Sequence, residues 1–210
     1  MSQSEKFIYL MRHGEIATPG ILAGKTDVTL SEFGRRQLWQ SAESLSAIQQ
    51  CISSPLQRCA LWAKEFADKN ELPLQIEPNI QEMNFGDWDG KPYQSLWESK
   101  SNPDDPKNES INIGDFWQNP WQITPPNGES MQAFSERVDS WWQHFALSNQ
   151  QGNTLVVAHG GVIKYLVAKF MGIPINNGNY LGNINIGYAS VIKLSLFIDE
   201  HDKVWTRVHL

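Results

Sequence analysis

Phe7-Ile8-Tyr9-Leu10-Met11-Arg12-His13-Gly14-Glu15 is the stretch on which the fold turns. Its unbroken apolar run has the length and composition of a strand buried on both faces, as strands of parallel sheets are. Arg12 and His13 then fall where such a strand delivers its chain to the carboxyl edge of the sheet, the edge at which open α/β sheets bind ligands. An imidazole beside a permanently charged guanidinium suits attack on an anion such as a phosphoryl group, and Gly14 reads as the residue that lets a ligand approach the backbone. Far along the chain a second apolar run ends in the same way, as Val156-Val157-Ala158-His159-Gly160-Gly161.

Outward from these two runs, strand and helix signals alternate. Ser31 reads as the cap of a helix running to about Ala47, Cys51 to Ser53 as a short strand, and Ser54-Pro55 as the cap and first residue of a helix that places Arg58 in its first turn. Leu74 to Glu77 reads as a third strand, and Pro78 to Gly90 as a loop carrying Glu82. Met131, Phe134, Val138, Trp141 and Phe145 repeat at helical spacing, a core-facing stripe. Tyr188 to Phe197 and Val204 to Leu210 read as two closing strands. This alternation predicts a three-layer α/β/α sandwich with a mostly parallel central sheet. Residues 1–210 are expected to form a single domain, with a lid-like insertion at about 91–126, where the composition turns to Asn, Pro, Asp, Ser and Trp.

Composition excludes several classes. With 17 basic residues against 23 acidic ones and no basic run, nucleic acid is not an expected partner. No apolar stretch approaches a membrane span, and Met1-Ser2-Gln3-Ser4-Glu5 lacks the marks of a signal peptide, so no membrane association and a cytoplasmic location are expected. Cys51 and Cys59 sit in apolar surroundings with no zinc spacing, and read as reduced packing residues.

Four motifs in order, Leu10 to Glu15, Ser53 to Arg58, Gln81 to Gly90 and Val156 to Gly161, resemble those of the histidine phosphatase superfamily in its phosphoglycerate-mutase-like branch. The resemblance spans roughly the first four-fifths of the chain. It implies a small-molecule phosphate ester as substrate, with His13 as the nucleophile that becomes a phosphohistidine. It also implies Arg12, Arg58, His159 and Gly160 as the phosphate-binding group, and Glu82 as general acid and then base. Taken singly, Arg58 and Glu82 read better as surface charges, and His159 could be a core histidine; their joint occurrence in order is what reverses this and favours catalysis. No metal and no cofactor are expected, because paired arginines repel a cation. The first motif departs from the family pattern at Ile16 and Pro19, where threonine and a phosphate-contacting asparagine are usual, and backbone near Gly20 or Gly24 is the candidate replacement.

Within the superfamily, Gly24 to Ser31, Met83 to Gly90 and Pro125 to Ser130 are most similar to the α-ribazole-5′-phosphate phosphatases of cobalamin synthesis. Broad-specificity and sugar phosphatases, phosphoglycerate mutase and an inactive phosphate-binding module stay open as alternatives. The predicted lid carries a net charge of −2, which disfavours a second phosphate, and Trp97, Phe116, Trp117 and Trp121, with Trp88 just before them, are candidates to stack on a flat base. Oligomeric state is not legible.

Overall fold

The computed structural model of the chain describes residues 6–98, 112–148, 152–176, 178–201 and 203–209. In chain order the elements are β1 (Lys6–Arg12), α1 (Glu32–Ala42), β2 (Ile48–Ser53), α2 (Gln57–Lys69), β3 (Leu74–Ile76), α3 (Tyr93–Glu98) and α4 (Ile113–Gln118). They continue with α5 (Met131–Leu147), β4 (Asn153–Ala158), α6 (Gly160–Phe170), α7 (Asn179–Asn183), β5 (Val191–Ile198) and β6 (Val204–His209). The strands form one sheet in the order β3-β2-β4-β1-β5-β6. The pairs β3-β2, β2-β4 and β4-β1 are parallel, while β5 and β6 close the sheet antiparallel.

Alternation along the central strands feeds two cores. Ile8 and Leu10 of β1, with Val156 and Ala158 of β4, pack against α5 and α6 on one face. Tyr9, Met11, Leu155 and Val157 point the other way and pack against α1 and α2, where Leu38, Trp62 and Phe66 meet them. Both faces of β1 are therefore dry, which is why its sequence shows no polar alternation. The predicted stripe on α5 is buried at all five positions, and both cysteines are buried and free. Among the described residues, no helix is long and apolar enough to cross a membrane.

Three local readings differ from the structure. Helix α1 stops at Ala42 rather than near Ala47: the amides of Glu43, Ser44 and Leu45 reach back only three residues, tightening the last turn, and Ala47 takes φ +51°. Ser31 and Ser130 cap α1 and α5 through their hydroxyls, but Ser54 does not cap α2, whose N-cap is Leu56. Gly14 is needed for helix packing rather than ligand approach, since a Cβ there would lie 2.1 Å from the Gly34 carbonyl oxygen at the start of α1. Of the predicted lid, residues 99–111 lie outside the described residues, between α3 and α4.

The Gly14–Gly34 contact sets how closely the loop after β1 lies on α1, since a Cβ on Gly34 would in turn lie 2.1 Å from the Glu15 carbonyl. Gly34→Ala is therefore expected to cost about 1–3 kcal/mol. That loss should lower the thermal midpoint by several degrees in a calorimetric scan.

Candidate active site

The parallel register of β1 and β4 sets Arg12 opposite Ala158, so the next residues, His13 and His159, leave the sheet side by side. The His13 amide donates to the Ala158 carbonyl at 3.0 Å, and the two rings lie 5.3 Å apart, edge to face. On the other side of β4, Ser53 of β2 pairs with Val157, which brings the Ser54 hydroxyl to 2.8 Å from His159 Nε2. His13 is 5% exposed and His159 0%.

Nδ1 of His13 lies 2.8 Å from the Gly14 carbonyl. A carbonyl only accepts, so Nδ1 carries the proton and Nε2 keeps its lone pair. Burial, the Arg58 cation and the Arg12 cation push the His13 pKa down to about 3 against the opposing pull of the Gly14 carbonyl. Burial, Arg58 and the neighbouring His13 likewise hold His159 well below the ordinary histidine range. At neutral pH both rings are uncharged.

The positive charge resides on the arginines. Arg58, in the first turn of α2, is 0% exposed; Nη1 donates to the Thr26 carbonyl at 2.9 Å, and Nη2 to those of Ala23 and Gly24 at 3.2 and 2.6 Å. Those carbonyls belong to a loop pinned by Asp89, which accepts from the amides of Gly24, Lys25 and Thr26. The Gly24 amide is thus already engaged and is not the substitute phosphate donor; Gly20 does not line the cavity, and Ile16 does, as an apolar wall. Arg12 donates from Nη1 to the Ile186 carbonyl at 2.6 Å and stacks on Tyr188, its Cζ 4.2 Å from the ring centre. Among the described residues neither arginine has a carboxylate partner, and the Nε–H of each is buried without an acceptor. An uncompensated buried guanidinium is costly, and an anion is the species that relieves it.

Glu82 faces the same place from the loop after β3. Its Oε2 accepts from the Gly161 amide at 3.0 Å and its Oε1 from the Met83 amide at 3.1 Å. A Cβ on Gly161 would fall 2.3 Å from that carboxylate, so the second glycine of the histidine motif makes room for Glu82. Arg12, His13, Glu82 and Gly160 line one cavity of 340 Å³. Arg58 and His159 do not reach its wall; they are buried behind His13.

The rest of the wall is apolar and aromatic, with Phe85, Phe116, Trp117, Met131 and Phe134 prominent, and Tyr93 and Lys164 add polar groups. Of the rings proposed to stack, Phe116 and Trp117 border the cavity, Trp117 half-buried and Phe116 wholly buried. Trp88 packs edge-on against Phe116 at 6.0 Å instead, Trp121 packs against the core, and Trp97 is exposed away from the cavity. Tyr188, Ser54 and Lys164 were not legible as site residues. Tyr188 sits in the turn before β5, which carries no motif, and Ser54 is masked by its resemblance to a helix cap.

The profile of the histidine phosphatase superfamily (branch 1) matches residues 8–207. The adenosylcobalamin/α-ribazole phosphatase of Escherichia coli is 32% identical over 176 residues, covering 80% of each chain. A glucosyl-3-phosphoglycerate phosphatase of Mycolicibacterium vanbaalenii is 26% identical over 199 residues, covering 90% of this chain and 83% of that one. The crystal structure of the α-ribazole phosphatase from Shigella flexneri superposes with a TM-score of 0.73 at 26% identity, covering 96% of this chain and 95% of that one.

The lowered His13 pKa has a consequence in the free protein. Unfolded, the ring takes a proton near 6.5, and folded only near 3, so between those values the unfolded state binds more protons. Its contribution to stability is complete above pH 6.5 and is lost as the pH falls toward 3. An NMR titration should find the His13 imidazole neutral at pH 5; a midpoint near 6.5 would contradict the arrangement.

Proposed function

Because this chain belongs to the histidine phosphatase superfamily, branch 1, we propose that it hydrolyses phosphate monoesters by passing the phosphoryl group through His13. It is a phosphatase of that family. The observation that carries the proposed route is the unpartnered Nε–H of Arg12 at the cavity beside a neutral His13 whose Nδ1 is already committed, with the Arg58 cation buried nearby and without a carboxylate partner among the described residues.

In this reading Nε2 of His13 attacks phosphorus while the P–O bond to the alcohol breaks, and Glu82 gives its proton to the departing oxygen. Arg12, Arg58 and His159 balance charge on the equatorial oxygens, and Gly160 adds a backbone donor at the start of α6. Water then attacks the phosphohistidine, Glu82 takes its proton, and phosphate and free His13 remain. Guanidiniums supply the charge a metal would bring. Turnover is accordingly expected to be insensitive to chelators.

For the ester we propose α-ribazole 5′-phosphate. The similarity to the Escherichia coli relative and the aromatic wall that includes Phe85 and Trp117 both support a leaving alcohol that carries a flat, apolar base. A second reading has one observation in its favour: Lys164 lines the cavity, which suits an ester carrying a carboxylate, such as the glucosyl-3-phosphoglycerate in the other relative's name.

Measured kcat/KM should be at least tenfold higher for α-ribazole 5′-phosphate than for glucosyl-3-phosphoglycerate or 3-phosphoglycerate. Trp117→Ala should reduce the first by about 2- to 10-fold, the size of one aromatic contact, and leave the others nearly unchanged. Preference for glucosyl-3-phosphoglycerate would install the second reading, equal rates would make the enzyme a broad-specificity phosphatase, and interconversion of phosphoglycerates would make it a mutase.

A further inference from the structure

Three buried or half-buried arginines surround the site, and they differ in one respect. Arg12 and Arg58 each keep an N–H without an acceptor, whereas all five N–H donors of Arg137, on α5, are engaged. Nε and Nη2 grip the two oxygens of Glu129 at 2.6 and 2.9 Å, a bidentate pair. Nη1 donates to the carbonyls of Asn79 and Gln81 at 2.6 and 2.8 Å, and the remaining Nη2 proton goes to the carbonyl of Glu82 itself at 3.2 Å. Glu129 extends the clamp: its Oε2 accepts from the Asn84 amide at 3.2 Å, and its own amide donates to the Asn84 carbonyl at 2.8 Å.

The loop that presents Glu82 is therefore tied on both sides of that residue to one ion pair, and neither member of the pair lines the cavity. The loop has little regular structure to hold it, two 3₁₀ turns at Pro78–Ile80 and Gly86–Trp88 on either side of Glu82. The Glu82 side chain adds two amide contacts of its own, which fix the carboxylate only if its backbone is already in place. A group of this kind contributes by keeping a proton donor within reach of a reacting oxygen, where a shift of about 1 Å can cost about a hundredfold in rate.

We propose that Arg137 and Glu129 are positioning residues for Glu82: the pair sets where the carboxyl stands relative to the leaving oxygen, and it serves proton delivery rather than phosphate binding. The inference rests on the reading of Glu82 as the acid. Lysine cannot replace Arg137, because a point-like ammonium with three donors cannot span five acceptors divided between a carboxylate and three loop carbonyls.

The test compares kcat/KM for p-nitrophenyl phosphate, whose leaving group scarcely needs a proton, with that for an alkyl phosphate, whose leaving group needs one. Because kcat/KM reports steps only through departure of the alcohol, later hydrolysis of the phosphoenzyme does not enter. Arg137→Lys and the milder Glu129→Gln should each lose about 10- to 100-fold on the alkyl ester and less than about threefold on the aryl ester, a pattern expected of impaired acid catalysis. Combined with Glu82→Gln, either should add almost nothing further on the alkyl ester, since the residue being positioned is already disabled. Equal losses on the two esters, or losses that multiply in the double variants, would overturn the inference and leave the pair a purely structural tie. Glu82→Gln measured alone separates the two levels: if it loses equally on both esters, the acid reading itself fails and this inference fails with it.

Discussion

The parallel pairing of β1 with β4, in the one register that sets Arg12 opposite Ala158, is the constraint on which the rest of the site depends. A slip of one residue would exchange the two faces of the strand, sending Ile8 and Leu10 into the core that now holds Tyr9 and Met11. Two dry faces thus lock the register, and the register brings two histidines within 5.3 Å of each other at the sheet's edge. Packing far from any ligand decides the geometry of the chemistry. β2 adds Ser54 by the same means, from the other side of β4.

Charge at the site follows from burial. Two histidines packed beside guanidiniums stay neutral, which is the state in which an imidazole nitrogen has a lone pair to offer. Arg58 is taken wholly out of water and given carbonyls, not a carboxylate, as partners. Carbonyl dipoles steady a guanidinium without cancelling its charge, so an attraction for anions remains. Where an arginine holds a loop instead, as at Arg137, a carboxylate and three carbonyls engage every donor.

Much of this was legible in the residues, for identifiable reasons. β1 and β4 announce themselves because strands buried on both faces must be apolar throughout, and α5 because its buried stripe repeats at helical spacing. The cap at Ser31 is a local interaction between neighbours in sequence, which a linear reading captures. Ser54 shows the limit of that reading: it has the composition of a cap, but a partner 105 residues away takes its hydroxyl. Gly14 misled in the same way, since what excludes a side chain there is a helix begun by residues well downstream. Helix α7 and Tyr188 escaped because neither sits in a periodic or motif-bearing stretch, and the Glu129–Arg137 pair because its role depends on loop carbonyls more than 50 residues away. The prominent tryptophans of residues 88–121 were visible as aromatics, but which of them face the cavity is set by packing in three dimensions.

Passage of the phosphoryl group through His13 is open to direct test by trapping it there. Rapid mixing of enzyme with a phosphate monoester, an alkaline quench that preserves phosphohistidine, and peptide mapping by mass spectrometry would locate the covalent phosphate. Phosphate is expected on His13 early in turnover, accumulating further in Glu82→Gln as hydrolysis slows, and none in His13→Ala. Phosphate on His159, or undiminished turnover by His13→Ala, would contradict that route.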